Sequence, residues 1–237
     1  MQYLLWAIPL MLVVLVFVLA WHANSAYDKF VAMREKYNEI KNSLGITAEK
    51  LGTSFSTKHF DGLIDLQSSQ TSGPDGTYIP RTHTVMLKEE FLNNTSIAAI
   101  SILAHEFGHA IQHFQNPQIL IKHQKLNNFV KILGNLNPLI VILSIVLCIS
   151  IGYIFALAGL GLIFINTIIA ICLKAQTSHV EKNASQEALK ILENFGFSKT
   201  DLAHAKKFLS YAKSTYTADF LCALLGWTGL TRKTNYF

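Results

Sequence analysis

The chain has 237 residues, 51% of them hydrophobic and 15% charged, with a formal net charge of +5. Its mean hydropathy is above zero, which favours a membrane protein carrying one modest folded domain and disfavours an ordinary soluble protein. The basic residues form no stripe with interleaved aromatics, so we expect no nucleic-acid partner. Cys148, Cys172 and Cys222 have no paired spacing and are predicted to be small apolar fillers rather than disulfide partners.

The N-terminal stretch from Tyr3 to Trp21 is almost wholly apolar and uncharged. About 20 such residues cross the hydrocarbon core as a helix. No basic residue precedes the stretch and no clean small-x-small cleavage site follows it, so residues 1–22 are predicted to be an uncleaved transmembrane anchor rather than a signal peptide. Residues 24–44 have apolar positions at helical spacing and are predicted to form an amphipathic helix ending at Gly45.

Short strands and turns are predicted next. Residues 46–76 are rich in Ser, Thr and Gly with weak periodicity, and we expect only a short strand at 64–66 and a turn at 72–76. Residues 78–81 and 84–87 are predicted to be strands around a turn. Such an edge strand can pair with an extended peptide substrate, although a purely structural strand is nearly as plausible.

The motif His105-Glu106-Phe107-Gly108-His109 carries the chemistry. Two histidines four residues apart lie on the same face of a helix and can bind one zinc ion, while Glu106 can act as the general base on a water molecule. Apolar positions predict a helix over residues 95–115, begun by a polar cap at 94–96 and ended by Asn116-Pro117. The motif alone also fits a helix with two surface histidines and a solvated glutamate.

Residues 139–173 form a long apolar block that is predicted to be a transmembrane helical hairpin. A single straight helix would be about 50 Å long, against a core of about 30 Å, so two short spans around a tight turn fit better. Two crossings also return the chain to the side that holds His105 and His109, and a re-entrant pair would do the same. Asn166 is expected to find a helix–helix partner within this zone.

Basic residues flank the predicted spans on one side only, which predicts that the catalytic side is cytoplasmic. No lysine or arginine lies before Trp21 or within residues 139–173. The flanking positive charges are Lys29, Arg34, Lys36, Lys41, Lys122, Lys125, Lys131, Lys174 and Lys182.

A catalytic zinc usually has three protein ligands, and Glu181 is the best candidate for the third. It lies in a predicted helix, residues 178–195, that follows the hairpin. A capping box from Ser178 to Glu181 explains this glutamate about equally well. His113 lies about 12 Å along the helix from His105, too far to share one ion. The lesser alternatives are His179, Glu187, Glu193 and His204.

Further helices are expected at 201–216 and, lying in the interface or dipping into the bilayer, at 218–230.

Three blocks of the chain resemble the bacterial membrane-associated neutral zinc metallopeptidases. They are Tyr78-x-Pro80-Arg81 with Thr84-Val85-x-Leu87, then His105-Glu106-Phe107-Gly108-His109-Ala110-Ile111-Gln112, and last Glu181-x-Asn183-Ala184-Ser185-x-x-Ala188-Leu189. The resemblance implies a gluzincin-like site with His105, His109 and Glu181 as zinc ligands and Glu106 as the catalytic base. It also implies a mainly α-helical membrane protein.

These expectations combine into four regions: an anchor at 1–22, the first part of a zincin-like domain with a few short β-strands at 23–138, the hairpin at 139–173, and the second part at 174–237.

The leading hypothesis is a membrane-anchored metalloendopeptidase that uses Zn²⁺ to hydrolyse peptide or membrane-protein substrates beside the lipid bilayer. A catalytically inactive zinc-fold membrane scaffold or adaptor and an intramembrane protease are the alternatives. The candidate oxyanion donors are Arg81, His113, His204 and Tyr211.

Overall fold

The computed structural model describes residues 2–70, 74–152 and 154–225, which are mainly helical with one small sheet. The elements in chain order are α1 (Gln2–Glu39), α2 (Ala48–Phe60), β1 (Asp65–Ser69), β2 (Gly76–Ile79), β3 (Thr84–Lys88), α3 (Glu89–Leu92), α4 (Ile97–Gln115), α5 (Pro117–Ser150), α6 (Ile154–Asn194) and α7 (Lys199–Leu225).

The chain divides into two units. The apolar unit comprises the described residues of Met1–Tyr27, Gln124–Thr177 and Thr217–Lys233. The α/β unit comprises the described residues of Asp28–His123 and Ser178–Tyr216 and contains the whole sheet. Helices α1, α5, α6 and α7 each contribute residues to both units, so the four predicted regions and these two units divide the chain differently.

The predicted anchor and the predicted amphipathic helix form one continuous helix, α1. The prediction that the helix continues to Leu44 was wrong, because α1 ends at Glu39. The chain then turns through Gly45, whose φ of +61° is a conformation that glycine adopts at no steric cost. Whether residues 1–22 cross a membrane stays a prediction.

Helix α2 lies in a segment for which the sequence predicted no helix. Thr47 caps its start by accepting a hydrogen bond from the Lys50 backbone N–H, and Leu51 and Phe55 face the core one turn apart. Gly52 and the surrounding Ser and Thr residues hid this pattern, because they are poor helix formers.

The sheet has the strand order β1-β3-β2, with β1 parallel and β2 antiparallel to the central strand β3. The strands predicted at 78–81 and 84–87 exist as β2 and β3, although β2 begins and ends two residues earlier than predicted. The strand predicted at 64–66 begins one residue later and is longer. Strand β2 is an edge strand, as expected. The turn predicted at 72–76 lies partly outside the described residues.

Among the described residues, two helices are long and apolar enough to cross a membrane, Pro117–Ser150 and Leu157–Asn194, and each lies partly in the apolar unit. Large apolar side chains are exposed along both helices, and Ile149 is 82% exposed. Such exposure is unfavourable in water but not in contact with lipid. The predicted partner of Asn166 is confirmed: its amide donates to Asn137 Oδ1 at 2.6 Å and to the Leu133 carbonyl at 2.9 Å.

The C-terminal helices are longer than predicted. The helix predicted at 178–195 is the last part of the uninterrupted α6, and α7 runs to Leu225 rather than ending at Tyr216. The apolar segment predicted at 218–230 therefore begins as a continuation of α7, and its residues after Leu225 lie outside the described part of the chain.

A buried ion pair is expected to stabilise the α/β unit. The Asp75 carboxylate is fully buried and pairs with Arg34 at 2.6 Å and Lys88 at 2.7 Å. We expect Asp75→Asn to lower the free energy of unfolding by about 3 kcal/mol, the low end for a broken buried pair, because both cations are partly exposed and can rehydrate. Denaturant unfolding in a mild detergent measures this.

The control is Glu187→Gln, which removes the exposed pair with Lys190. It should change the free energy of unfolding by at most about 0.5 kcal/mol. Equal effects of the two variants would contradict a special role for the buried pair.

Candidate metal centre

Helix α4 presents the motif from the interior of the α/β unit. Ser96 caps its start by accepting from the Ala99 backbone N–H at 3.1 Å, and Asn116 caps its end, close to the boundaries expected from the sequence. Every residue from Ile97 to Gly108 is buried, including His105 and Glu106. Buried polar side chains need partners, so the surroundings of these two residues are informative.

The Glu181 carboxylate of α6 lies against both motif histidines. Its Oε2 atom is 3.4 Å from His105 Nε2 and 3.4 Å from His109 Nε2. The three candidate ligand atoms all lie within 4.8 Å of one another. Ser178 is inside α6 rather than at its start, so the alternative in which Glu181 closes a capping box was wrong.

These distances fit a shared metal ion better than hydrogen bonds. Two atoms bound to one tetrahedral zinc at about 2.0–2.1 Å are about 3.3–3.4 Å apart. A charge-assisted N–H···O bond would be shorter, at about 2.7–2.9 Å. Glu181 Oε2 is buried and makes no hydrogen bond, although a buried carboxylate oxygen without a partner is costly. Imidazole nitrogens with a carboxylate oxygen are the donor set that zinc prefers, so these residues fit the ion.

A glycine allows α6 to come this close to α4. A Cβ placed on Gly108 would lie 2.4 Å from the backbone oxygen of Ala184. Gly108 falls between the two histidines in sequence, and Ala184 is one turn after Glu181. The close backbone contact therefore lies at the level of the site and brings Glu181 to the imidazoles.

The Gln112 amide fixes the proton position on His109. Its Nε2 donates to the Val180 carbonyl and to Asn183 Oδ1, both at 2.8 Å. Because the Val180 carbonyl can only accept, Gln112 must direct its oxygen at His109 Nδ1, which is 3.0 Å away. Nδ1 then carries the proton of the neutral imidazole, and Nε2 offers its lone pair towards Glu181.

The remaining electrostatics favour positive charge at this place. Burial opposes protonation of His109, but the Glu181 carboxylate outweighs it and raises the pKa of the imidazole to about 9. A divalent cation would meet the same attraction and would take the place of that proton. Ser185, one turn after Glu181, places its Oγ 3.3 Å from His105 Nδ1. The His105 imidazole therefore also has a partner that orients it.

Glu106 lies beside the candidate ligands. Burial raises the pKa of its carboxyl group, and the Glu181 charge adds to that effect, while His105 and His109 oppose it. The Tyr78 backbone N–H of β2 donates a hydrogen bond to this carboxylate. The edge strand therefore holds the glutamate that the sequence predicts to be the general base.

The other candidates lie elsewhere. His113 Nδ1 is 2.9 Å from the Tyr78 hydroxyl oxygen, and the His204 ring packs against Tyr37. Arg81 is exposed in the β2–β3 turn, and Tyr211 is half-buried against the core. Among the described residues, neither His113 nor His204 belongs to the three-residue cluster of candidate metal ligands.

The alternative third ligands also lie outside that cluster. His179 and Glu193 are exposed, and Glu187 pairs with Lys190 at 2.7 Å.

Sequence reasoning missed three side chains at this centre. His123 Nε2 of α5 lies 3.0 Å from Glu181 Oε1, the carboxylate oxygen remote from the motif histidines. Gln112 and Ser185 were within the quoted blocks but had no assigned role. Their helical spacing from His109 and Glu181, three and four residues, was the available signal. No spacing rule links His123 to either block, because Asn116-Pro117 separates its helix from α4.

Comparisons with known proteins identify the family of this chain. The family described as "Putative neutral zinc metallopeptidase" matches residues 7–232. The chain belongs to this neutral zinc metallopeptidase family. It is 31% identical over 192 residues to "Putative membrane protease YugP" of Bacillus subtilis (strain 168), an alignment that covers 80% of this chain and 81% of that protein. No solved structure matches the chain.

The contact at Gly108 gives a test of the site. We expect Gly108→Ala to push α6 away from α4, and so to lower zinc affinity about tenfold to hundredfold, as when groups that orient ligands are disturbed. Overpacking should also cost about 1–3 kcal/mol of stability. Competition with a chromogenic chelator measures the affinity.

Gly161→Ala is the matched control, because a Cβ on this α6 glycine meets nothing within 4 Å. It should bind zinc as the wild type does. Wild-type zinc affinity in Gly108→Ala would show that the α4–α6 contact does not define the site.

Proposed function

We propose that this chain is a membrane-bound, zinc-dependent endopeptidase that uses Glu106 as its general base. The observation that carries the proposal is the buried Glu181 Oε2 atom, which has no hydrogen bond and lies 3.4 Å from both motif imidazoles. The family match and the description of the Bacillus subtilis relative as a membrane protease support the same class of activity.

Each candidate ligand has a defined part. His105 and His109 would hold the zinc through Nε2, and Glu181 through Oε2. Bound there, zinc would supply a Lewis acid that polarises water and the scissile carbonyl group. Three protein ligands are the usual set of a catalytic zinc site, so these residues would suit that chemistry.

Glu106 moves the protons. Its carboxylate takes a proton from the water molecule that adds to the scissile carbonyl carbon, and passes it to the amine nitrogen as the C–N bond breaks. The Tyr78 N–H orients the carboxylate from the β2 side.

Strand β2 is the proposed docking edge for the substrate. It is at the edge of the sheet and reaches Glu106 directly, so an extended peptide paired with it would pass the base. Pairing of this kind recognises main-chain groups, which suits an enzyme that cleaves several peptide or membrane-protein sequences.

The chain is proposed to be a multi-pass protein of the cell membrane with its site on the cytoplasmic side. The two apolar helices and the exposed side chains along them support lipid contact. The one-sided distribution of lysine and arginine supports the orientation. Helix α4 is not one of the two candidate spans, which favours a site outside the lipid over an intramembrane protease.

Substitutions of the two glutamates at the centre are expected to have different effects on zinc binding and on activity. Glu106→Gln should keep one equivalent of zinc but lower kcat on casein-like or membrane peptides by about 10²–10⁴-fold, the usual contribution of a general base. Glu181→Ala should lose zinc and activity together, because the buried carboxylate is the third candidate ligand. Metal analysis and peptide-cleavage rates on the purified proteins measure both.

Glu193→Gln, at an exposed position of the same helix as Glu181, is the control and should match the wild type. Wild-type rates in Glu106→Gln would refute the mechanism. Stoichiometric zinc in a wild-type protein that cleaves nothing would instead support the alternative of a catalytically inactive scaffold.

The orientation is tested by cysteine labelling in a background without Cys148, Cys172 and Cys222. A cysteine at the exposed position Lys36 of the α/β unit should resist a membrane-impermeant maleimide in intact cells and react after permeabilisation. A cysteine at the exposed position Ile151, in the turn between α5 and α6, should react in intact cells.

Labelling at position 36 in intact cells would put the site on the outer face. Protection of position 151 together with position 36 would indicate a re-entrant pair in place of two full crossings.

A further inference from the structure

The two oxygens of the Glu181 carboxylate have different surroundings. Oε2 is shared between His105 Nε2 and His109 Nε2 and makes no hydrogen bond. Oε1 lies 3.0 Å from His123 Nε2, a distance at which that nitrogen donates a hydrogen bond. One carboxylate oxygen therefore accepts a hydrogen bond, while the other faces the motif histidines.

We propose that His123 is a positioning residue that orients Glu181 as a one-oxygen ligand to the metal. This inference rests on the metal site of the proposed function but concerns how tightly the ion is held. A hydrogen bond at Oε1 holds the carboxylate in the orientation in which Oε2, and not Oε1, faces the two motif imidazoles and the ion that they would share. A second metal–oxygen bond would otherwise occupy space that the water and the substrate need.

The placement of His123 suits this role. Its side chain is 12% exposed and that of Glu181 5%, so the bond forms in surroundings largely shielded from water. Its ring lies nearly parallel to that of His109, at 29° and 6.5 Å between centroids, and so stands alongside that ligand. It comes from α5, whereas the candidate ligands come from α4 and α6, so three helices meet at one carboxylate.

His123 also completes a pattern among the candidate ligands. Gln112 bonds His109, Ser185 lies against Nδ1 of His105, and His123 bonds Glu181. Loss of such an outer partner typically weakens metal binding 10–100-fold without removing a ligand.

The test compares substitutions that keep or remove the donor, in the full-length protein in detergent. His123→Leu removes the N–H, and we expect it to weaken zinc binding about 10–100-fold, measured by competition with a chromogenic chelator. His123→Gln places an amide N–H at about the same reach, and we expect it to stay within about fivefold of the wild type if the hydrogen bond is the cause. His179→Gln, at an exposed histidine of α6, is the control and should bind as the wild type does.

A second readout separates positioning from direct coordination. The visible absorption of the Co²⁺-loaded protein reports the number and kind of ligands, and at saturating Co²⁺ it should be the same in the wild type, His123→Leu and His123→Gln. A changed spectrum in His123→Leu would make His123 a ligand and would overturn the proposal. Should His123→Leu fail to fold, His123→Asn, whose amide is one methylene shorter than that of Gln, takes its place.

The remaining outcomes are distinct. Wild-type affinity in His123→Leu, or equal weakening in the Leu and Gln variants, overturns the positioning role while leaving the peptidase proposal standing. A wild-type protein that binds no zinc overturns the proposed function itself, because the site then holds no ion for His123 to act on. Zinc binding with the expected variant pattern but no peptide cleavage supports the inference and refutes only the peptidase proposal.

Discussion

The contact between α4 and α6 at Gly108 and Ala184 is the constraint on which the centre depends. With a side chain at Gly108 the two backbones could not approach, and Glu181 would stand away from the imidazoles. The close approach instead buries a carboxylate beside two histidines, an arrangement that is costly unless something positive is shared among them. A metal ion would satisfy all three groups at once, so the packing of these two helices also determines the geometry of the candidate site.

The same contact explains how the chain is organised. The imidazoles precede the long apolar block and the carboxylate follows it, so one site draws on both sides of α5 and the first part of α6. A protein that placed those helices across a bilayer would need an even number of crossings to assemble this centre. Small residues at Gly108 and Ala184 allow the close fit, as they do where helices pack in membranes.

The sequence was most informative where local signals agreed. Ser96, the apolar positions of α4 and Asn116-Pro117 mark one helix, and its boundaries differ from the predicted ones by two residues or less. Local sequence patterns gave wrong predictions where tertiary packing determines the secondary structure. The Ser178 capping box is a sound local pattern, yet α6 continues through it because packing of its inner face supports helix beyond what local propensity decides. Helix α2 was not predicted for a related reason. Its residues are weak helix formers, and burial of Leu51 and Phe55 stabilises the helix in the folded chain.

His123 shows why a ligand set is easier to predict from sequence than its surroundings. His105 and His109 are related by helical spacing, which is a local property of the chain. The bond from His123 to Glu181 depends on where α5 begins after the break at Asn116-Pro117 and on the path of α6 past it, and both are set by three-dimensional packing. The partners of the candidate ligands, Gln112, Ser185 and His123, are therefore recognised only in the folded chain.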